Sequence, residues 1–316
     1  METVDDYLVD VVVPFADRLE NLYPLKSWLS KESLPANFRV ILVHDIQNQD
    51  TAGRELQRLL SILDSKSYIY IRGKFGSPGG ARNAGLDKVT ARWVCFWDSD
   101  DYPQPQEFLK MIEFGIRDNS QVCVGKFEIT QLITKHQQKK YSQGNSLVSV
   151  ATTPGFWRMA FTRDSIGEVR FLNSRMGEDQ LFLMAINFGS LRWYRHNEVV
   201  YRYIIGVGSQ LTSLQSSYSD LLETFENSVQ FCDRDTNFRA AYIYSIMQIR
   251  MAMTIYLKFP IKKSRNTLMQ YAKKSISSPK NLFLATIPAL LTVFFNYILT
   301  ILRIGILKFR GCSAKL

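Results

Sequence analysis

Histidine and cysteine are scarce in this 316-residue chain, and the few present are scattered. His44, His136 and His196 form no ligand-spaced group with Cys95, Cys123, Cys232 and Cys312, so a zinc centre is not expected. Two of the cysteines lie in apolar, strand-like runs, which points to reduced, structural thiols and a cytoplasmic setting. The opening METVDDYLVD carries acids where an export signal would carry a basic and then an apolar run, so export is not expected. Neither a GxxxxGKS/T phosphate loop nor a GxGxxG dinucleotide fingerprint occurs. Internal repeats and low-complexity stretches are missing too. The most telling shortage is of negative charge near the C-terminus. Residues 261–316 hold ten Lys and Arg and no Asp or Glu, while the other 260 residues carry 29 of each sign. The net charge of +10 therefore belongs wholly to the tail. There it brackets an uncharged apolar run instead of mixing with aromatics over a surface, which argues against a nucleic-acid-binding protein.

What is present is the content of a folded enzyme-sized chain: 46% hydrophobic and 22% charged residues, enough for a substantial core. Apolar strand-like runs at 8–14, 39–45, 68–73 and 92–98 alternate with helical spacing at about 18–30, 51–63 and 79–90. Strands separated by helices of that length predict parallel strands joined by crossovers, in a sheet covered on both faces. Ligands of such sheets gather at the carboxyl ends of the strands, where Pro14, Asp45 and Asp98 fall. Further on come a polar loop or hairpin (135–146), a loop and helix (177–189), a strand (198–204), a glycine-rich turn (206–213) and helical stretches at about 214–231 and 238–258.

Two constellations carry chemistry. The first is WVCFWDSDDYP (93–103), where a core-like strand breaks into Asp98, Asp100 and Asp101. Like charges so close repel. They either cap the helix that begins near Pro105 or hold a divalent cation together with phosphate oxygens. An EF-hand is excluded, because Pro103 and Leu109 stand where its glycine and glutamate belong. The second is GKFGSPGGARNAGL (73–86), a glycine-rich turn feeding a helix N-terminus, which suits an anion.

The order VVVPF, Asp45, ARNAGL (81–86), WDSDD (97–101) and GEDQ (177–180) resembles that of the family 2 glycosyltransferases, over residues 8 to about 213. The resemblance implies a glycosyltransferase-A fold: an α/β, Rossmann-like, mixed and mostly parallel sheet flanked by helices. It also implies transfer of a sugar, inverting, from a nucleotide sugar (a UDP-sugar) to a glycan or lipid-linked acceptor in cell-surface polysaccharide synthesis. By the same resemblance, Pro14 lines the base pocket, Asp45 meets the nucleobase and Arg82 lies beside the phosphates or the acidic cluster. Asp98 contacts ribose or sugar and, with Asp100, binds Mn²⁺ or Mg²⁺. Asp179, with Glu178 second, is the general base. Trp157 is either an acceptor platform or a core residue, and Arg202 or Ser209 either touches the diphosphate or belongs to a plain strand and turn. DIQNQD (45–50) departs from the family's usual D-D-G-S-x-D run. A sugar-1-phosphate nucleotidyltransferase would want its glycine-rich loop straight after the first strand, where none stands. A non-catalytic sugar-binding relative would not need the acids retained here.

The expected organisation is a catalytic part at 1–213, with nucleotide binding in about 1–103 and acceptor and base in about 104–213. A helical extension (214–260) and a basic tail (261–316) follow. The uncharged run 282–302 has 21 residues, about what a membrane-crossing helix needs. Anionic membrane is therefore an expected partner of the tail, by a single span or by in-plane attachment at the cytoplasmic face of the cell membrane. A buried C-terminal core helix is the alternative.

Overall fold

A computed structural model describes residues 7–16, 18–30, 33–46, 52–61, 63, 65, 67–134, 137–205, 217–233, 237–258, 266 and 285–295. Strands β1 (Val9–Ala16), β2 (Phe38–Asp45), β3 (Tyr68–Gly73) and β4 (Trp93–Phe96) run parallel in the order β3-β2-β1-β4. Helices α1 (Leu22–Trp28), α2 (Gly53–Ser61) and α3 (Pro78–Leu86) connect them. The first five residues of β1 and all of β4 are buried, as expected of strands covered on both faces. Two tryptophans bound β4 because alternate residues serve opposite faces. Trp97 packs on Trp28 and Phe108, while Phe96 enters a cluster of Phe156, Phe161, Phe171 and Phe182.

The second half of the sheet is mixed. β4 is followed by β8 (Met159–Thr162), antiparallel to it, then β6 (Val122–Thr134), β9 (Trp193–Ile205) and the short β5 (Tyr102–Pro103). β7 (Gln137–Gln143) folds back on β6 as a hairpin. Helices α4 (Pro105–Arg117), α5 (Leu147–Thr152), α6 (Arg163–Ile166) and α7 (Glu178–Ala185) cover this half. Two further helices, α8 (Ser217–Ser228) and α9 (Phe238–Lys258), pack into the same core through Leu221, Phe225, Ile243 and Met247.

One buried ion pair fixes the register at the sheet's centre. Asp10, fully buried on β1, accepts from Arg39 Nε (2.8 Å) and Nη2 (3.0 Å) on β2 and from the Thr90 and Ala91 amides (2.8 and 2.9 Å) before β4. Four donors on one carboxylate offset the cost of taking it out of water.

Candidate active site

Parallel register brings the carboxyl ends of three strands together. Ala16 pairs with Asp45, Val12 pairs with Phe96, and the Trp97 amide bonds Val12 O at 3.1 Å. Pro14, Asp45 and the DSDD turn thus meet at one edge of the sheet. Asp45 Oδ1 accepts from the Phe75 amide at 2.7 Å, so it also shapes the turn that leads into α3. Ser77 caps α3, accepting from the Gly80 amide at 3.0 Å, with Pro78 in the first turn. Gly79 is required for contact: a Cβ there would lie 2.0 Å from the Leu172 carbonyl oxygen.

The ARNAGL run is a fastener between α3 and the segment before α7. Asn83 bonds both backbone groups of Phe171, donating at 2.9 Å and accepting at 2.8 Å. Arg82 is 4% exposed and reaches Asp98 Oδ1 at 2.8 Å and Glu178 Oε1 at 2.7 Å. Its guanidinium lies over the Phe156 ring, 4.8 Å from the centroid. Burial opposes the Arg82 charge, but Asp98 and Glu178 outweigh it and hold its pKa above the ordinary value. One cation therefore joins the acidic turn after β4 to the first residue of α7.

Each acid has a distinct environment. Asp100 opens into the cleft, yet the surrounding walls desolvate it and Asp98 lies beside it, pushing its carboxyl up to about 6. Asp101 is buried and accepts from Tyr201 Oη (3.1 Å) and the Ile204 amide (2.8 Å), which makes it the anchor of β9. Glu178 is raised by burial, with Arg82 opposing. Asp179 is raised to about 7, by burial first and the Glu178 charge second, and it accepts from the Gln180 amide at 2.8 Å.

Eight of the residues singled out in the sequence (Pro14, Asp45, Arg82, Asp98, Asp100, Trp157, Glu178 and Asp179) line one cleft of about 320 Å³. Trp157 is 8% exposed and stacks on Tyr201 and Tyr203, with centroids at 4.5 and 5.3 Å, so it is largely core with one edge on the cleft. Tyr203, Arg18, Asn21 and Arg175 also line the cleft. Sequence reading missed these, although the alternation in YRY (201–203) puts both tyrosines on one face. By the same alternation Arg202 pairs with Glu128 on β6 (3.4 Å) and is not among the cleft-lining residues. Ser209 and most of DIQNQD lie outside the described residues.

Among the described residues no group of three or more His, Cys, Asp or Glu could hold a metal alone. Asp98 and Asp100 do fit a hard divalent ion that takes its remaining ligands from phosphate and water. The observation behind this fit is the donor set: two carboxylates two residues apart, both lining the cleft, of which Asp100 is raised by desolvation first and by the adjacent Asp98 second.

The sequence profile described as Glycosyl transferase family 2 matches residues 10–195, and the chain belongs to that family. Among individual proteins, 108 residues are 38% identical to the succinoglycan biosynthesis protein ExoO of Rhizobium meliloti (strain 1021), covering 34% of this chain and 29% of that one. A further 126-residue match, 25% identical, is to the UDP-Glc:alpha-D-GlcNAc-diphosphoundecaprenol beta-1,3-glucosyltransferase WfgD of Escherichia coli, covering 40% and 48%. The matched segment thus spans less than half of either relative. Among solved structures, Staphylococcus aureus TarS 1–349 in complex with UDP-GlcNAc superposes with a TM-score of 0.66 at 17% identity, over 88% of this chain and 83% of that one. The mannosyltransferase PcManGT from Pyrobaculum calidifontis, in complex with GDP-Man and Mn²⁺, gives 0.54 at 12% identity, over 90% and 85%. At such identities the likeness establishes the fold alone, which is the glycosyltransferase-A fold expected from the sequence.

Proposed function

We propose that the protein is a metal-dependent, inverting glycosyltransferase that moves a sugar from a UDP-sugar to a glycan or lipid-linked acceptor in cell-surface polysaccharide synthesis. The observation that carries this reading is the meeting, in one cleft, of Asp98 and Asp100 with Glu178 and Asp179, Arg82 joining Asp98 to Glu178. Pro14 and Asp45 receive the nucleobase, and Asp98 and Asp100 hold Mn²⁺ or Mg²⁺ with the diphosphate. A bound divalent ion supplies charge neutralisation of the departing nucleoside diphosphate.

The chain's own residues do the rest. Glu178 is buried and paired with Arg82, whereas Asp179 is half-buried on the cleft and its recorded hydrogen bond is the local one from the Gln180 amide, which makes Asp179 the better placed base. Asp179 takes the proton of the acceptor hydroxyl as that oxygen attacks the anomeric carbon from the face opposite the diphosphate. Its pKa near 7 suits a base working at neutral pH. Tyr203, with the edge of Trp157, gives the acceptor sugar an aromatic platform. We assign catalysis to 1–213, with nucleotide binding in about 1–103 and acceptor and base in about 104–213. The tail from 261 associates with anionic membrane at the cytoplasmic face.

The test is transfer from a panel of nucleotide sugars with Mn²⁺ or Mg²⁺ added. Asp100→Ala should lose the metal response, and Asp179→Asn should bind donor yet lose transfer by about 10²–10⁴-fold. Metal-stimulated turnover unchanged in Asp100→Ala, or transfer retained in Asp179→Asn, removes the corresponding role.

A further inference from the structure

The turn that delivers Glu178 and Asp179 is gripped from outside the segment that the family profile covers. Asp220 on α8 accepts from the Arg175 amide (3.1 Å), Nε (2.8 Å) and Nη2 (3.3 Å). One helical turn later Thr224, fully buried, donates from Oγ1 to Met176 O (3.0 Å) and lies 3.4 Å from Ser174 Oγ. Between them Leu221 approaches Gly177, which has φ +84°; a Cβ at Gly177 would meet Leu221 Cδ1 and Thr224 Cγ2 at 3.0 Å. Positions 220, 221 and 224 share one helix face. That face holds three consecutive residues, Arg175, Met176 and Gly177, all of which line the cleft.

We propose that α8 is part of the catalytic apparatus: Asp220 and Thr224 are positioning residues that set the 174–177 turn, and through it the aim of Asp179 at the acceptor. This rests on Asp179 being the base. Glu178 is tied independently to Arg82, and among the described residues the hydrogen bond recorded for Asp179 is the local one it accepts from the Gln180 amide, so its direction follows from the backbone that α8 holds. A helix that merely covered the core would need Leu222 and Phe225, which it also buries, but not a carboxylate spent on an arginine amide and side chain.

The experiment compares Asp220→Ala, Asp220→Asn and Thr224→Val with Leu222→Ala, a core truncation on the same helix. Full-length protein is assayed for transfer and for amide hydrogen exchange at 174–180. Asp220→Ala and Thr224→Val are expected to lower kcat by roughly 10-fold with donor KM within about twofold, since a small misplacement of a reacting group is costly. Asp220→Asn, which keeps one acceptor oxygen for Arg175, should recover part of the loss. Exchange at 174–180 should rise in the first two variants. Leu222→Ala should lower Tm with kcat nearly intact. Unchanged exchange at 174–180 overturns the proposal, and so does a kcat loss that Leu222→Ala reproduces at equal Tm. Should Asp179→Asn itself retain transfer, the fault lies in the base assignment, and exchange still decides whether α8 sets the turn.

Discussion

Asp179 carries a cost that its proposed role explains. Its pKa is raised to about 7 against an ordinary carboxylate near 4, so between those values the folded protein binds a proton that the unfolded chain has shed. The stability contributed by the neutral form is fully present below about pH 4 and is lost as pH rises through about 7. As a base, Asp179 works only when ionised, so kcat should climb through the same range while stability falls. Asp179→Asn should abolish that climb and, at pH 8, raise stability by on the order of 1 kcal/mol, read as Tm. Arg82→Met should act more harshly. It leaves Asp98 and Glu178 without their cation, so the acidic limb of activity moves to higher pH and stability drops by about 3–5 kcal/mol. At this scale the sequence was informative about residue types and blind to pairing. Arg82 was read as lying near the phosphates or the acidic cluster. That it spans to Glu178, 96 positions away, has no local sign. Tyr203 and Arg175 were missed because a strand tyrosine and a loop arginine look alike wherever they fall.

Strands β1, β2 and β4 were legible as elements because burial on both faces demands continuous β-branched and aromatic runs; the half-buried edge strand β3 shares such a run, and the short spacing of all four demands crossovers. β8 and β6 were not. β8 has four residues, and it pairs with β4 across some 65 positions, so its place follows from tertiary contacts and not from local pattern. The Asp10–Arg39 pair was equally hidden, since a lone Asp in an apolar strand shows nothing of its four donors. Arg39→Met should destabilise by about 3–5 kcal/mol by leaving Asp10 buried and uncompensated, measured as a shift of the denaturation midpoint at constant m-value. Gly79→Ala should disrupt the α3 seat, since its Cβ would lie 2.0 Å from a backbone oxygen. The expected readout is lost donor affinity together with lowered Tm, because the same helix carries Arg82.

For the molecule as a whole, the tail is the part least like the body. Of the uncharged run 282–302, residues 285–295 are described, and they form a helix. Ala285, Ala289 and Val293 are buried, and Thr292 Oγ1 meets Tyr242 Oη on α9 at 2.7 Å. Ile287, Leu290, Leu291, Phe294 and Phe295 face outward, each at least 50% exposed. Among the described residues no helix is long and apolar enough to cross a membrane. This outward apolar face, flanked by a basic sequence, is the one that the proposed contact with an anionic surface would use. Leu291→Ser with Phe294→Ser should therefore weaken co-flotation with anionic vesicles and leave turnover on a soluble acceptor unchanged. Flotation equal to wild type would remove that face from the contact.

The Arg82 bridge has a consequence for how such a molecule can change over time. Asp98 and Glu178 draw on one buried cation, so Arg82 cannot be replaced singly without stranding two carboxylates, whereas loss of either acid leaves it paired with the other. Loss of the arginine must then be concerted with loss of its buried partner. Homologues that have given up the arginine at 82 should have given up the acid at 178 as well.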